Sequence, residues 1–239
     1  MKKKVLLLTG TVNSSGVHFM KRDDTEVRLN DYLNAISEWI NKFPQIKIVF
    51  VENSNFPMKF LDKKLLNHKN FEYLTYNGQD FSRSKGKGFG EINSFEYAFN
   101  NSKFIETSDY IIKCNGRYFF KGFSKIINED FDVIGNFNSK LDYMDSRVFA
   151  FKKTFFHECF LKYKNIINDS KGVFFEHALA RAVHETLSND GSWSPISFPL
   201  IIEGYSGTKN YRYNTSWNVF KIYAKFYFKK ILKEIGQRN

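Results

Sequence analysis

Cysteine is scarce. Only Cys114 and Cys159 occur among 239 residues, in unrelated contexts. There is no Cys-x-x-Cys pair and no Cys/His spacing of a zinc site. Two isolated thiols give no sign of a secreted disulfide framework. Long apolar runs are absent as well: none approaches the roughly 20 residues of a transmembrane helix. The opening MKKKVLLLTGT is basic like a signal peptide, but its apolar run of about five residues falls short of the roughly 7–15 such a segment needs. It is read as a first β-strand, and the protein as cytoplasmic. No internal repeat and no low-complexity linker divides the chain. No RRM, KH or helix-turn-helix signature accompanies its positive charge, which leaves charge and aromatics as the only pointers to a nucleic-acid-binding module.

What is present is basic and aromatic. Lys and Arg number 36 against 25 Asp and Glu, for a net charge of +11 and a pI near 9.4. That balance favours anionic partners: nucleic acid, an acidic membrane surface or phosphorylated ligands. Hydrophobic residues make up 42% and aromatics 18%, with 27 Phe, so a sizeable core is available and most Phe is assigned to it. Strands are expected at Val5–Thr9, Ile46–Val51, Phe71–Thr75, Asp109–Ile112, Asp132–Gly135, Ser146–Phe151 and Ile196–Ile202. Pro195 and Pro199 place the last near an edge. Helical spacing marks Arg28–Lys42, Glu91–Thr107, Thr154–Ile167, Phe175–Leu187 and Trp217–Ile235. Phe81–Gly90 reads as a Gly/Lys/Ser loop. The alternation predicts an α/β fold built on a mainly parallel sheet flanked by helices, in which ligands sit beyond the carboxyl ends of the strands.

Those ends are polar. They are Thr9-Gly10-Thr11, Glu52-Asn53-Ser54, Lys113-Cys114-Asn115-Gly116-Arg117, and Glu203-Gly204-Tyr205-Ser206-Gly207-Thr208. The stretch Ser84–Glu91, SKGKGFGE, opens a helix. Its small residues would let backbone N–H groups approach an anion, with Lys85 and Lys87 adding charge. It lacks the Lys-Ser/Thr of a Walker A loop, and no strand immediately precedes it as in a Rossmann fingerprint. A solvated surface loop is an equal reading. Glu52-Asn53-Ser54 can equally be a helix cap or an Asx turn.

Taken in order, the segments VLLLTGT, R28LNDYLNAISEWI, IVFVENSN, KGKGFGEINSFEYAF, DYIIKCNGRYFF, DVIGNF and DSRVFAFKKTFF resemble a bacterial GT-A glycosyltransferase of the kind that builds capsule, O-antigen or lipo-oligosaccharide sugars. The resemblance spans about residues 4 to 210. It implies a GT-A-like sheet over 1–215, with Thr9, Gly10 and Glu52 at base and ribose, Glu52 accepting the diol, and Lys87, Gly88 and Glu91 over the nucleotide. Where such enzymes carry Asp-x-Asp for Mg²⁺ or Mn²⁺, this chain has Cys114-Asn115-Gly116-Arg117. The resemblance therefore implies a K-x-x-G-R-Y variant in which Lys113 and Arg117, flanking Asn115, neutralise the diphosphate and no metal is assigned. A structural ion pair for Arg117 is the other reading. Asp142 or Asp145 would be the carboxylates of any Mg²⁺ or Mn²⁺ site.

For an inverting reaction the first candidate base is Glu176, at the start of a late helix, and the second is Asp145. An acid in a first helical turn is favourable regardless. Ser206-Gly207-Thr208 either closes over the phosphates or forms a plain turn. Residues 216–239 form a basic amphipathic helix. Trp217, Phe220, Tyr223, Tyr227 and Ile231 lie largely on one side, and Lys221, Lys225, Lys229 and Lys233 on one stripe. It suits an anionic bilayer carrying a lipid-linked or glycan acceptor, or packing on the domain with a solvated lysine face. The expected partners are a nucleotide-sugar donor and that acceptor, not nucleic acid. A sugar-nucleotide nucleotidyltransferase is the alternative, but it would show a Gly- and Arg-containing loop directly after the first strand, which Gly10-Thr11-Val12-Asn13 does not supply.

Overall fold

The computed structural model describes residues 2–14, 21–57, 61, 63–127 and 130–236. The apolar run after Lys4 forms β1 (Lys4–Gly10), buried from Val5 to Leu8. Asp24 accepts a hydrogen bond from Val27 N at 2.8 Å. This cap starts α1 (Thr25–Lys42) three residues before the apolar periodicity begins. Then follow β2 (Lys47–Glu52), the single-turn α2 (Lys63–Leu66), β3 (Phe71–Thr75), α3 (Gly86–Asn101), α4 (Lys103–Glu106), β4 (Tyr110–Asn115), β5 (Phe119–Lys121) and α5 (Ser124–Ile127). The second half holds β6 (Val133–Ile134), β7 (Val148–Lys152), α6 (Lys153–Phe155), α7 (Phe175–Ser188), β8 (Trp193–Ser194), β9 (Ile201–Glu203) and α8 (Ser216–Gly236).

The sheet runs β3-β2-β1-β4-β7-β6-β8. The first four strands are mutually parallel, and β7 runs against its neighbours β4 and β6. The α/β architecture expected from the sequence is therefore present: a mainly parallel sheet flanked by helices, with a C-terminal helix. Alternation along the strands sorts the core into two layers. Leu6, Leu8, Phe50 and Ile112 face Tyr32, Ile36 and Trp39 of α1. Val5, Leu7, Val51, Ile111 and Phe149 face Phe95 of α3 and Phe175 of α7.

Three expectations need correction. The stretch Phe81–Gly90 is not an open loop throughout: α3 already begins at Gly86. Its early glycines serve close packing, since a Cβ on Gly88 would lie 2.8 Å from Phe175 N. Strand β4 does not stop at Ile112 but continues to Asn115, so Lys113 sits inside the sheet. The strand expected at Ile196–Ile202 shrinks to β9, which pairs with β5 in a separate two-stranded sheet. The main sheet's edge is instead the short β8. Among the described residues, no helix is long and apolar enough to cross a membrane.

Candidate active site

The parallel strands place Thr9, Asn115 and Glu52 at one edge, with Thr9 opposite Asn115 and Gly10 opposite Glu52. Gly10 packs beneath the Phe50 and Tyr32 rings. The loop after β1 is tied down from two sides. Arg28, 2% exposed, donates to the carbonyls of Thr11, Val12 and Arg22. Glu52, fully buried, accepts from Val12 N at 2.8 Å, Ser54 N at 2.9 Å, Phe56 N at 2.9 Å and Thr75 Oγ1 at 3.0 Å. It also accepts from the Ser54 hydroxyl. Five donors occupy its two oxygens, so no lone pair is left over for a ribose diol. That corrects the expected role of Glu52: it fixes the loops at this end of the sheet.

Lys113 requires the larger correction. On the extended β4 it shares the face of Ile111, which points into the layer of α3 and α7. It is fully buried. Its ammonium forms a salt bridge to Glu91 and donates to Asn115 Oδ1 and to the Ser146 carbonyl, both at 2.5 Å. Three protons meet three acceptors, which is what a buried ammonium requires. Lys113 is thus an internal cation whose three protons are all taken within the protein. It draws Glu91 of α3 toward β4, and Thr9 Oγ1 donates to the same Glu91 oxygen at 3.2 Å. Gly88 is buried against α7, which removes it from the expected nucleotide contacts.

Glu176, in the first turn of α7, accepts from Ser146 Oγ at 2.7 Å. Burial is the main cause that raises its carboxyl above the ordinary value. The Ser146 hydrogen bond lowers it, Glu91 raises it further and Lys113 opposes that rise. Tyr143 lies beside it, its phenol kept protonated by burial first and then by the Glu176 charge. Glu91 thus pairs directly with the buried ammonium, and Glu176 feels the same charge only through space. Asp145 takes a different position. It grips Arg147 through Nε at 2.8 Å and Nη2 at 2.5 Å, and Asp142 accepts from Asn138 at 2.7 Å. Among the described residues, no group of three or more His, Cys, Asp or Glu side chains is placed to hold a metal ion.

Arg117 lies just past β4, over the Tyr32 and Tyr118 rings. Its Nη1 is buried and has no hydrogen-bond partner. A Cβ on Gly207 would lie 2.4 Å from Nη2, so a larger residue there would push the guanidinium aside. Ser206, 6% exposed, shapes the same loop by accepting from Lys209 N at 3.2 Å. The loop is clasped to the β1 side, where Lys21 N and Arg22 N donate to Gly207 O at 3.2 and 3.1 Å. Arg28, Lys87 and Arg117 lie close enough to affect one another. Burial first, and then positive neighbours, lower both Arg28 and Lys87, while Tyr32 and Asp169 respectively oppose the fall. Asp169 caps the start of α3 by accepting from Lys87 N at 3.0 Å.

The structure thus brings Thr9, Gly10, Glu91, Asn115, Arg117 and Glu176 to one end of the sheet, with Ser206 in the loop above. Sequence reasoning missed Arg28, Tyr32 and Ser146. The first two carried a signal: Arg and Tyr four apart on the inner face of a helix beside the first strand end. Ser146 carried none.

No protein-family model matches the chain, and no curated protein sequence matches it. Solved structures do align with it. One is a candidate nucleotide-diphospho-sugar transferase of Desulfovibrio desulfuricans G20, at 11% identity over 82% of this chain and 80% of that one, with a TM-score of 0.48. Another is a glycosyltransferase involved in glycosylation of the major capsid of PBCV-1, at 9% identity over 80% and 81%, with a TM-score of 0.45. A third is a 4-diphosphocytidyl-2C-methyl-D-erythritol synthase of Anaerococcus prevotii DSM 20548, at 12% identity over 93% and 96%, with a TM-score of 0.45. The likeness is one of chain path, and at these values it does not extend to activity or substrate.

Proposed function

We propose that residues 1–215 form a glycosyltransferase unit that moves a sugar from a nucleotide-sugar donor to an acceptor hydroxyl. The observation that carries this reading is Arg117. It is a cation at the carboxyl end of a central parallel strand, with one buried guanidinium nitrogen unpartnered and two further cations beside it. A departing nucleoside diphosphate would supply the missing acceptors. Charge-assisted bonds from a planar guanidinium suit that group and stabilise the charge that grows as the glycosidic bond breaks. The proposed donor contacts are Thr9, Gly10, Lys87, Asn115, Arg117 and the Ser206 loop, with Glu52 acting through the loops it holds. Lys113 and Glu91 are positioning residues.

Glu176 is assigned as the base. Its burial raises its affinity for a proton taken from the acceptor hydroxyl, and Ser146 orients one of its oxygens. In this reading Arg117 does the work of a divalent ion at the diphosphate. The acceptor is a cell-surface glycan or a lipid-linked sugar. Support for the latter comes from α8, whose Trp217, Phe220, Tyr227 and Phe228 are 55–63% exposed beside a sequence with five lysines and one glutamate between Ser216 and Gly236. The side chains of Lys225, Lys229, Ile231 and Lys233 lie outside the described residues. Aromatic anchors with basic neighbours fit an anionic bilayer surface. Co-sedimentation with phosphatidylglycerol vesicles, lost in Trp217→Ser/Phe220→Ser, is expected. Equal sedimentation of the variant would remove the membrane from the account.

The test of the reaction is a thermal-shift panel of UDP-, GDP-, CMP- and dTDP-sugars, each with Mn²⁺ and with EDTA. A nucleotide sugar that raises Tm equally in both is expected. A rise only with Mn²⁺ would refute Arg117 as sufficient. Pyrophosphate release from a nucleoside triphosphate and a sugar phosphate would replace the reading with a nucleotidyltransferase.

A further inference from the structure

A concavity lies away from the strand ends. Helix α3 carries Lys87 and Glu91 toward the cleft. Asn93, Glu96 and Asn100 follow the opposite side, at the spacing of one helical stripe. With the turn after β3 (Tyr76, Asn77, Gly78, Asp80) and Tyr97, they border an open groove of about 310 Å³. That is large enough for one or two sugar rings on the scale of ordinary ligand sites, about 300–1,000 Å³.

Its chemistry differs from the rest of the protein. In a chain of net charge +11, no lysine or arginine lines this groove. The lysine that reaches its rim, Lys164, is engaged by the lining Glu96 at 2.5 Å, and Asp80 adds a further carboxylate, so the local charge does not favour phosphorylated or other anionic ligands. No group of three metal-ligating side chains forms among the described residues, which disfavours a cation. What lines the groove is carboxamide and carboxylate, with one aromatic wall. Tyr76 and Tyr97 stack at 4.2 Å and 8°. Both are anchored, Tyr76 OH against Ser94 Oγ at 3.3 Å and Tyr97 OH on Thr75 O at 3.4 Å. Gly78 sits against the Tyr76 ring so closely that a Cβ would lie 2.4 Å from it. The two rings are thus held in place by their neighbours. Asn77, Asn93 and Asn100 supply amide donors and acceptors in pairs, the pattern that vicinal hydroxyls match. A fixed apolar wall beside such groups suits a ring with one C–H face and polar edges.

We propose that this groove binds a neutral saccharide, free or as part of a longer glycan, at a site separate from the strand-end cleft. It stands independently of the transferase reading, because binding here is measured without turnover. The test is an NMR titration of the side-chain amides with methyl glucoside, methyl galactoside, methyl mannoside, N-acetylglucosamine and their trisaccharides, with glucose 6-phosphate as the anionic control. At least one neutral sugar is expected to shift the Asn77, Asn93 or Asn100 amides with a Kd on the order of 1 mM. Asn93→Ala/Asn100→Ala should weaken it about tenfold or more at unchanged Tm, and the exposed single change Asn100→Ala should weaken it in part. Arg117→Ala should leave it intact. Absence of shifts with every neutral sugar, shifts with the phosphate alone, or binding lost in Arg117→Ala would each overturn the proposal.

Discussion

Replacing Lys113 with methionine tests the reading of the β4 strand end. The ammonium is fully buried and saturated by Glu91, Asn115 and the Ser146 carbonyl. Removing one partner of a buried ion pair costs about 3–5 kcal/mol, because the other charge is left without compensation. Glu91 keeps 22% of its side chain exposed and can recover some hydration, which sets the loss near the lower figure, about 3 kcal/mol. For a chain of this size that lowers Tm by roughly 6–12 °C. Urea unfolding of Lys113→Met should show a lower midpoint at unchanged slope. The double variant Lys113→Met/Glu91→Leu should recover much of the loss, since an apolar pair of similar volume is often tolerated where a lone charge is not. A single variant within about 1 kcal/mol of the parent, with a double variant no better, would refute a dry, charge-paired Lys113.

Glu176→Gln should lower kcat by about 100-fold or more with little change in donor KM. The acid limb of the wild-type rate should lie above the ordinary carboxyl range. A carboxyl raised by burial favours the fold below its unfolded value, and that contribution disappears as pH rises through the folded value. The same variant should therefore be more stable than the parent at neutral pH but not in acid, as read by Tm across pH. Gly88→Ala gains helix propensity of about 1 kcal/mol. Its Cβ meets Phe175 N at 2.8 Å and Phe175 Cβ at 2.9 Å, so a net loss of about 1–3 kcal/mol in urea is expected. Asp132 is held at about 2: burial raises it, but the Lys152 and Ser192 donors outweigh that. Discounted for the solvent that reaches the Lys152 pair, that is worth about 1–2 kcal/mol, present above the unfolded value and lost as pH falls toward 2. Asp132→Asn should therefore cost about that much at pH 7, with the gap closing in acid.

The strands β1, β2 and β3 and the helices α1 and α7 were legible because their apolar periodicity is clean and they are buried on the faces the pattern marks. The site was legible as a set of strand ends but not as a set of roles. Lys113 reads as a strand terminator by composition. Only the partner acceptors, which come from α3 and from the segment before β7, allow a lysine to remain inside the sheet. Glu52 follows the same logic, since its five donors come from four residues on three segments: the loop after β1, the loop after β2 and the end of β3. The Gly/Lys stretch at Gly86–Gly90 was misread because glycine signals a loop by propensity, whereas here the small side chains allow α3 and α7 to approach. Pro195 and Pro199 were read as marking an edge strand at Ile196–Ile202, but that stretch lies outside the main sheet, and the pairing of β9 with β5 is a tertiary fact with no local signal. Arg117 was legible as a cation directly after Asn-Gly at a central strand end, and its expected role came from the resemblance.

The most direct test of the central claim is calorimetric titration of the nucleotide sugar selected by the panel, with EDTA present, against the parent protein and Arg117→Ala. Losing a charge-assisted pair of bonds costs about 3 kcal/mol, so the variant should bind about 100-fold more weakly while keeping the parent's Tm without ligand. Equal affinity in the two proteins would contradict Arg117 as the diphosphate cation, and with it the account of how this strand end works.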